Sequence, residues 1–68
     1  MNNNLPKYRR YIGVSQTKMA SVADVCLTTY MHKETGKKPF NQYEMAKIYG
    51  YIKDKLPGIT IEELFFTN

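Results

Sequence analysis

The chain has 68 residues, of which 43% are hydrophobic, with a formal net charge of +4 and one cysteine. A chain this short forms one small domain and buries only about 60% of the surface that its unfolded form exposes, which excludes a multidomain protein. The hydrophobic content excludes a disordered chain, and the single cysteine excludes an internal disulfide framework.

The N-terminal segment, MNNNLPKYRRYIG, is polar and then basic. We expect residues 1–5 to fray. Pro6 suits the first turn of a helix and Gly13 suits its end, which predicts a short N-terminal helix. The apolar side of that helix would carry Leu5, Tyr8, Tyr11 and Ile12. An extended basic arm is the alternative conformation of this segment.

Residues 15–35 are predicted to form the first long helix. Ser15 is a suitable N-cap, and Gly36 is a natural stop because glycine enters the left-handed conformation without a Cβ penalty. One face of the helix is apolar at 3.6 residues per turn, and it consists of Met19, Val22, Ala23, Cys26, Leu27 and Tyr30. We therefore expect Cys26 to be a buried structural cysteine and the Tyr30 hydroxyl to reach the edge of the core.

The segment KPFNQYEM predicts the start of a second long helix. Asn41 can cap this helix while Glu44 reaches back to the backbone N–H of Asn41, the reciprocal arrangement called a capping box. The apolar stripe that follows consists of Met45, Ile48, Tyr49, Ile52 and Leu56. Pro57 and Gly58 then end the helix.

The final segment predicts a short third helix over residues 61–66, because Thr60 and Glu63 match a second capping box. Its apolar face would consist of Ile61, Leu64 and Phe65, with Phe66 pointing away. A DNA-reading helix needs Arg, Lys, Asn or Gln aimed at base edges, and acidic residues here would meet phosphate repulsion. We interpret this helix as a lid on a hydrophobic core.

Together these elements predict an all-α fold, with one small helical domain over residues 1–68. Two principal helices form the bundle, which the short C-terminal helix closes, together with the N-terminal segment if that segment is helical. No apolar run approaches the roughly 20 residues that cross a bilayer, so no membrane partner is expected. The first residues lack a secretion-signal pattern, which together with the single cysteine favours the reducing interior of a cell, the cytoplasm.

Positive charge is concentrated in the first half of the chain. Residues 1–38 hold seven Lys or Arg against two acids, a net charge of +5, whereas residues 39–68 have a net charge of −1. This asymmetry favours one surface that attracts an anionic partner, and lysine that serves only solubility is the alternative. The high usage of Asn, Lys, Tyr and Ile fits an AT-rich genome, such as that of a virus or a mobile element.

Two basic clusters, KYRR and HKETGKK, are candidate nucleic-acid contacts. Arginine can hold a phosphate through two hydrogen bonds, and tyrosine can stack on bases. The predicted nucleic-acid-binding residues are Lys7, Tyr8, Arg9, Arg10, Tyr11, Lys37 and Lys38. If the two segments fold against each other, they form one basic patch. An acidic protein surface is the alternative partner, and a purely solvated cluster is the structural alternative.

Tyrosine is unusually frequent, with six in the chain. Tyr43 and Tyr51 flank Lys47 at four-residue steps on the outer face of the second long helix, and tyrosine contributes large contact areas to interfaces. The predicted protein-interface residues are Tyr43, Lys47, Tyr51 and Phe66. A protein partner or self-association would cover this side.

The chain shows no apparatus for catalysis. Cys26 and His32 would be separated by about 120° around the predicted helix, so they cannot share a proton. TGKKPF, at 35–40, resembles the linker between fingers in zinc-finger arrays, but a finger needs two cysteines and two histidines and this chain has one of each. We expect no enzymatic activity, cofactor, metal site or small-molecule substrate.

Two functional hypotheses follow. The first is a non-enzymatic regulatory or accessory protein that binds an anionic macromolecule, with nucleic acid favoured. The second is a protein-binding modulator or inhibitor, of viral or mobile-element type, that docks on a larger enzyme or complex. Salt distinguishes them, because phosphate binding weakens steeply with ionic strength and a tyrosine-rich protein interface depends on it far less.

Overall fold

The computed structural model describes residues 3–66 of the chain, and every regular element in this range is an α-helix. The helices are α1 (Leu5–Tyr11), α2 (Gln16–Ala23), α3 (Leu27–Glu34), α4 (Gln42–Lys55) and α5 (Ile61–Phe65). The predicted small all-α bundle is therefore confirmed. No helix within the described range combines the length and the apolar character that crossing a membrane requires.

The N-terminal segment is helical rather than an extended arm. Pro6 lies in the first turn of α1, where the missing N–H of proline leaves no helical hydrogen bond unmade. Gly13 leaves the helix with a φ of 75°, a left-handed conformation that glycine adopts without a steric penalty. Both predicted boundary signals are confirmed.

The described part of the N-terminus, residues 3–5, is hydrogen-bonded and packed against the domain, and the fraying of residues 1–5 stays a prediction. The Asn3 side chain accepts a hydrogen bond from the backbone N–H of Leu5 at 2.9 Å, and Leu5 is fully buried. The Asn4 backbone N–H donates to the carbonyl oxygen of Leu64 at 3.0 Å, which ties the start of α1 to α5. Residues 1 and 2 lie outside the described residues.

The predicted first long helix, 15–35, is instead two helices, α2 and α3. Asp24 adopts the left-handed conformation, with φ 61° and ψ 44°, and its backbone N–H turns back to the carbonyl oxygen of Ser21 at 3.1 Å. Ser15 caps α2 as predicted, because its side chain accepts from the Lys18 backbone N–H at 3.1 Å. The chain then restarts with extended backbone at Cys26, the N-cap of α3.

This break changes the predicted apolar face. Met19, Ala23 and Tyr30 are buried as expected. Cys26 is exposed, so the expectation of a buried structural cysteine is wrong, and Leu27 is 40% exposed. Cys26 is not part of a helix but the extended N-cap of α3, and Leu27 is the first residue of that helix.

The predicted capping box of α4 is confirmed. The Asn41 side chain accepts from the Glu44 backbone N–H at 2.8 Å, and the Glu44 carboxylate accepts from the Asn41 backbone N–H at 3.0 Å. The Lys33 ammonium adds 2.6 Å hydrogen bonds to both Glu44 oxygens, which joins α3 to α4. Burial raises the pKa of Glu44, but the hydrogen bonds from Lys33 and Asn41 outweigh it and hold that pKa below its ordinary value.

The capping box of α5 is also confirmed, although α5 ends at Phe65, one residue earlier than predicted. The Thr60 hydroxyl accepts from the Glu63 backbone N–H at 3.2 Å, and the Glu63 carboxylate accepts from the Thr60 backbone N–H at 3.0 Å. Phe65 is 6% exposed, and its ring meets that of Phe40 edge-on at a centroid distance of 5.4 Å. The interpretation of α5 as a lid agrees with this packing.

All five helices contribute to one hydrophobic core. Its buried members are Leu5, Met19, Ala20, Ala23, Tyr30, Ile48, Ile52, Ile59, Leu64 and Phe65. The two central positions of the α4 stripe, Ile48 and Ile52, are fully buried, as the helical period predicts.

A buried ion pair between Arg9 and Glu34 fastens α1 to α3. The Arg9 guanidinium donates to both carboxylate oxygens of Glu34, at 2.9 and 3.3 Å, and to the carbonyl oxygen of Val14 at 2.9 Å. Glu34 also accepts from the Tyr30 hydroxyl at 2.5 Å and from the Gln16 side chain at 2.9 Å. The Tyr30 hydroxyl therefore lies inside the core, not at its edge as predicted.

Burial raises the pKa of Glu34, but the hydrogen bonds from Arg9, Tyr30 and Gln16 outweigh it, so the pKa lies below its ordinary value. Burial, reinforced by the hydrogen bond to Glu34, raises the pKa of Tyr30 well above its ordinary value. Glu34 is therefore charged and Tyr30 is neutral at neutral pH, and the carboxylate is matched by one cation and two neutral donors.

Gly50 lies in the middle of α4, and a Cβ atom added there meets no atom within 4 Å. We expect Gly50→Ala to raise the free energy of unfolding by about 0.5–1 kcal/mol, because alanine is the better helix former and loses less backbone entropy on folding. Urea unfolding followed by circular dichroism measures this gain. A loss of stability would mean that a neighbouring group needs the space at this position.

Candidate nucleic-acid interface

An open groove of about 710 Å³ runs between α1 and the segment that follows α4. We call it the N-terminal groove. One wall consists of Lys7, Tyr8, Arg10 and Tyr11, and the other consists of residues 56–59 together with Glu63. Four of the five residues in the predicted KYRRY cluster therefore face one surface.

Helical spacing explains how α1 presents this wall. Leu5 and Arg9, four residues apart, turn into the core. Lys7 and Tyr11 are also four residues apart, and Arg10 follows Lys7 by three, so these side chains share the outer face. All three are exposed, and Tyr11 is 76% exposed.

The opposite wall is a turn, of which the sequence predicts only that Pro57 and Gly58 end the preceding helix. The Ile59 backbone N–H donates to the carbonyl oxygen of Leu56 at 3.0 Å, which folds the chain around Pro57 and Gly58. Ile59 is 7% exposed, and Leu56 packs against the core. No local signal pairs this turn with α1, because 45 to 52 residues separate the lining residues of α1 from those of the turn.

The charge of the groove is mainly positive. The ion pairs found among residues 3–66 are Arg9–Glu34, Lys33–Glu44 and the long Lys47–Asp24 contact at 3.9 Å, so none of them involves Lys7 or Arg10. The Lys7 ammonium lies 5.4 Å from the centre of the Tyr8 ring, within range of a cation–π interaction. Glu63 is the acid in the groove wall.

Arg9 is a predicted phosphate-binding residue, but it is 8% exposed and forms an ion pair with Glu34. This assignment is corrected, because a guanidinium held in a buried ion pair is not presented to a ligand at the surface. The helical period of α1 explains why the two arginines of KYRR differ in exposure: Arg9 turns into the core, whereas Arg10 lies on the outer face.

Lys37 and Lys38 are exposed after the end of α3, but neither lines the N-terminal groove. Lys38 lies instead beside a second groove, of about 290 Å³, whose wall includes Lys33, Phe40 and Phe66. The two basic clusters therefore border different grooves rather than one shared groove.

The predicted protein-interface residues are also divided between surfaces. Tyr43 is 71% exposed and Lys47 is exposed on α4. Tyr51 is half-buried, and the ammonium groups of Lys18 and Lys55 lie 5.8 and 5.2 Å from the centre of its ring. Phe66 is 57% exposed and lines the second groove, which contains neither predicted tyrosine.

The Cys26 thiol contacts the Thr29 hydroxyl at 3.1 Å. Hydrogen bonding with the Thr29 side chain, and then with backbone N–H groups at the start of α3, lowers the pKa of this thiol. Within residues 3–66, no three His, Cys, Asp or Glu side chains are grouped so that they could hold a metal ion.

No protein-family model, curated protein or solved structure matches this chain. The N-terminal groove brings together two cations that lie outside the ion pairs of the described residues, the exposed ring of Tyr11, the partly buried ring of Tyr8 and an aliphatic wall.

Proposed function

We propose that this protein is a non-enzymatic nucleic-acid-binding protein of regulatory or accessory type, and that it binds through the N-terminal groove. One observation carries the proposal: Lys7 and Arg10 lie outside the ion pairs found among the described residues and share a groove with Tyr8 and Tyr11. Cations without acidic partners attract phosphates, and bases can stack on tyrosine rings.

The two cations have complementary chemistry. The planar guanidinium of Arg10 can hold one phosphate through two parallel hydrogen bonds, whereas the Lys7 ammonium acts as a compact point charge. They are three residues apart on one helix, so their Cβ atoms lie about 5–6 Å apart. This spacing allows both to contact one ligand.

Docking on a larger protein is the alternative, through Tyr43, Lys47, Tyr51 and Phe66. The strongest support for it is the exposure of Tyr43. It is the weaker proposal because Phe66 lines the second groove, which contains neither Tyr43 nor Tyr51, and because the ring of Tyr51 already contacts two lysines.

Fluorescence anisotropy tests the proposal. The probes are a labelled single-stranded oligonucleotide of about 20 nucleotides, longer than the ~4–16 that a small binding fold covers, and its duplex. Binding is measured between about 50 and 200 mM salt, where counterion release changes affinity steeply. Lys7→Ala with Arg10→Ala should weaken binding and reduce the log–log salt slope by about 1.4 on single strands, or about 1.8 on duplex.

Lys18→Ala with Lys53→Ala is the matched control, since it removes the same charge from exposed positions away from the groove. This control should retain most of the affinity. Equal losses for the two double variants would show that binding is not located in the groove. The proposal fails if neither probe is retained at the lowest salt concentration.

Glu63 provides a second variant for the same assay. Glutamine also serves at this position of a capping box, so Glu63→Gln keeps the start of α5 and removes the acid from the groove. Affinity for an anionic ligand should rise about two- to fivefold, the range of a surface charge pair. A fall in affinity would indicate a cationic ligand instead.

A further inference from the structure

The walls of the N-terminal groove differ in chemistry. The α1 wall offers two cations and two phenol rings, whereas the facing turn offers the aliphatic side chains of Leu56, Pro57 and Ile59. A ligand that fills this groove must therefore present negative charge to one wall and apolar surface to the other.

Duplex nucleic acid does not present these two surfaces together. Its bases are stacked inside, and it shows phosphates and the edges of the base pairs. Against a duplex, the aliphatic wall would lie opposite hydrated phosphates and would find no apolar surface to contact. An unpaired strand exposes the flat faces of its bases between successive phosphates, so one nucleotide satisfies both walls.

The helices point to the same class of ligand. Proteins that read duplex DNA place a helix with Arg, Lys, Asn or Gln side chains in the major groove. The exposed cations of α1 face a concave groove rather than projecting from a convex ridge.

We infer, on the basis of the proposed function, that the ligand is single-stranded nucleic acid. An unpaired base stacks on Tyr11 beside the wall formed by residues 56–59, and its flanking phosphates meet Lys7 and Arg10. Tyr11 is 76% exposed and lines the groove, so its side chain is accessible to a base from solvent.

Three probes of equal length separate base stacking from charge: oligothymidylate, a DNA duplex, and an abasic deoxyribose-phosphate oligomer. We expect oligothymidylate to bind at least about tenfold more tightly than either other probe, because stacking on an aromatic side chain supplies that much affinity for one base. Tyr11→Leu should lose about tenfold in affinity for oligothymidylate and change abasic binding little, whereas Tyr11→Phe, which keeps a ring, should retain the affinity.

Tyr43→Leu is the matched control, because Tyr43 is 71% exposed but lies outside the groove. It should leave all three affinities unchanged. Equal binding of duplex and oligothymidylate, or an unchanged affinity of Tyr11→Leu, would overturn the inference. In that case the proposed function still stands if Lys7→Ala with Arg10→Ala lowers the salt slope, and it fails as well if no probe binds.

Discussion

Arg9→Ala is expected to destabilise the protein by about 3–5 kcal/mol, because it leaves the Glu34 carboxylate buried without its cation. A chain of this length has a total stability of about 3–10 kcal/mol at ~0.05–0.15 kcal/mol per residue. The substitution therefore removes much or all of the stability, although Tyr30 and Gln16 still donate to the carboxylate.

Arg10→Ala is the matched control, since Arg10 is the neighbouring residue with the same side chain and is exposed. We expect it to change stability by less than about 0.5 kcal/mol. Urea unfolding of both variants, followed by far-UV circular dichroism, gives the comparison. Similar midpoints for the two would mean that the Arg9–Glu34 pair contributes little. If a variant that lacks both arginines loses nucleic-acid binding, the loss can come from unfolding or from missing phosphate contacts, so the two arginines are replaced separately.

Phe65→Ala is expected to destabilise the fold by about 3–5 kcal/mol, the range for removing a buried aromatic ring. Its ring is 6% exposed and meets Phe40 edge-on, so the substitution leaves a cavity beneath α5 and removes an aromatic contact. The thermal midpoint should fall by more than about 12 °C for a domain of this size.

Phe66→Ala is the matched control for Phe65→Ala, because the two phenylalanines are adjacent in sequence but differ in burial. Phe66 is 57% exposed, and its backbone N–H, which donates to the carbonyl oxygen of Glu62, is kept in the alanine variant. The midpoint should move by less than about 4 °C, corresponding to less than ~1 kcal/mol. A large loss on Phe66→Ala with a small loss on Phe65→Ala would contradict the packing of α5 as a lid.

Local signals predicted the ends of most helices correctly. The capping boxes at Asn41 and Thr60 depend on residues three positions apart, which the sequence displays directly. The break at Asp24 was missed because the apolar period continues through VADVC, which contains neither glycine nor proline. Aspartate does enter the left-handed conformation more readily than most residues, and that was the one signal present.

The candidate site was only partly predictable for a different reason. KYRR identified the segment that forms one wall of the N-terminal groove, but which of Arg9 and Arg10 is exposed depends on Glu34, 25 residues beyond Arg9 in the chain. The aliphatic wall of the groove comes from a turn near the other end of the sequence. Contacts of this kind are set by tertiary packing, which local spacing does not encode.

The N-terminal groove joins α1 to residues 56–63, and the Asn4 backbone is tied to Leu64. A ribosome makes the cationic wall at least 45 residues before the aliphatic wall. A nascent chain that stops before Leu56 therefore displays Lys7, Arg10 and Tyr11 without a surface opposite them. The groove can therefore form only after residues 56–59 have been translated.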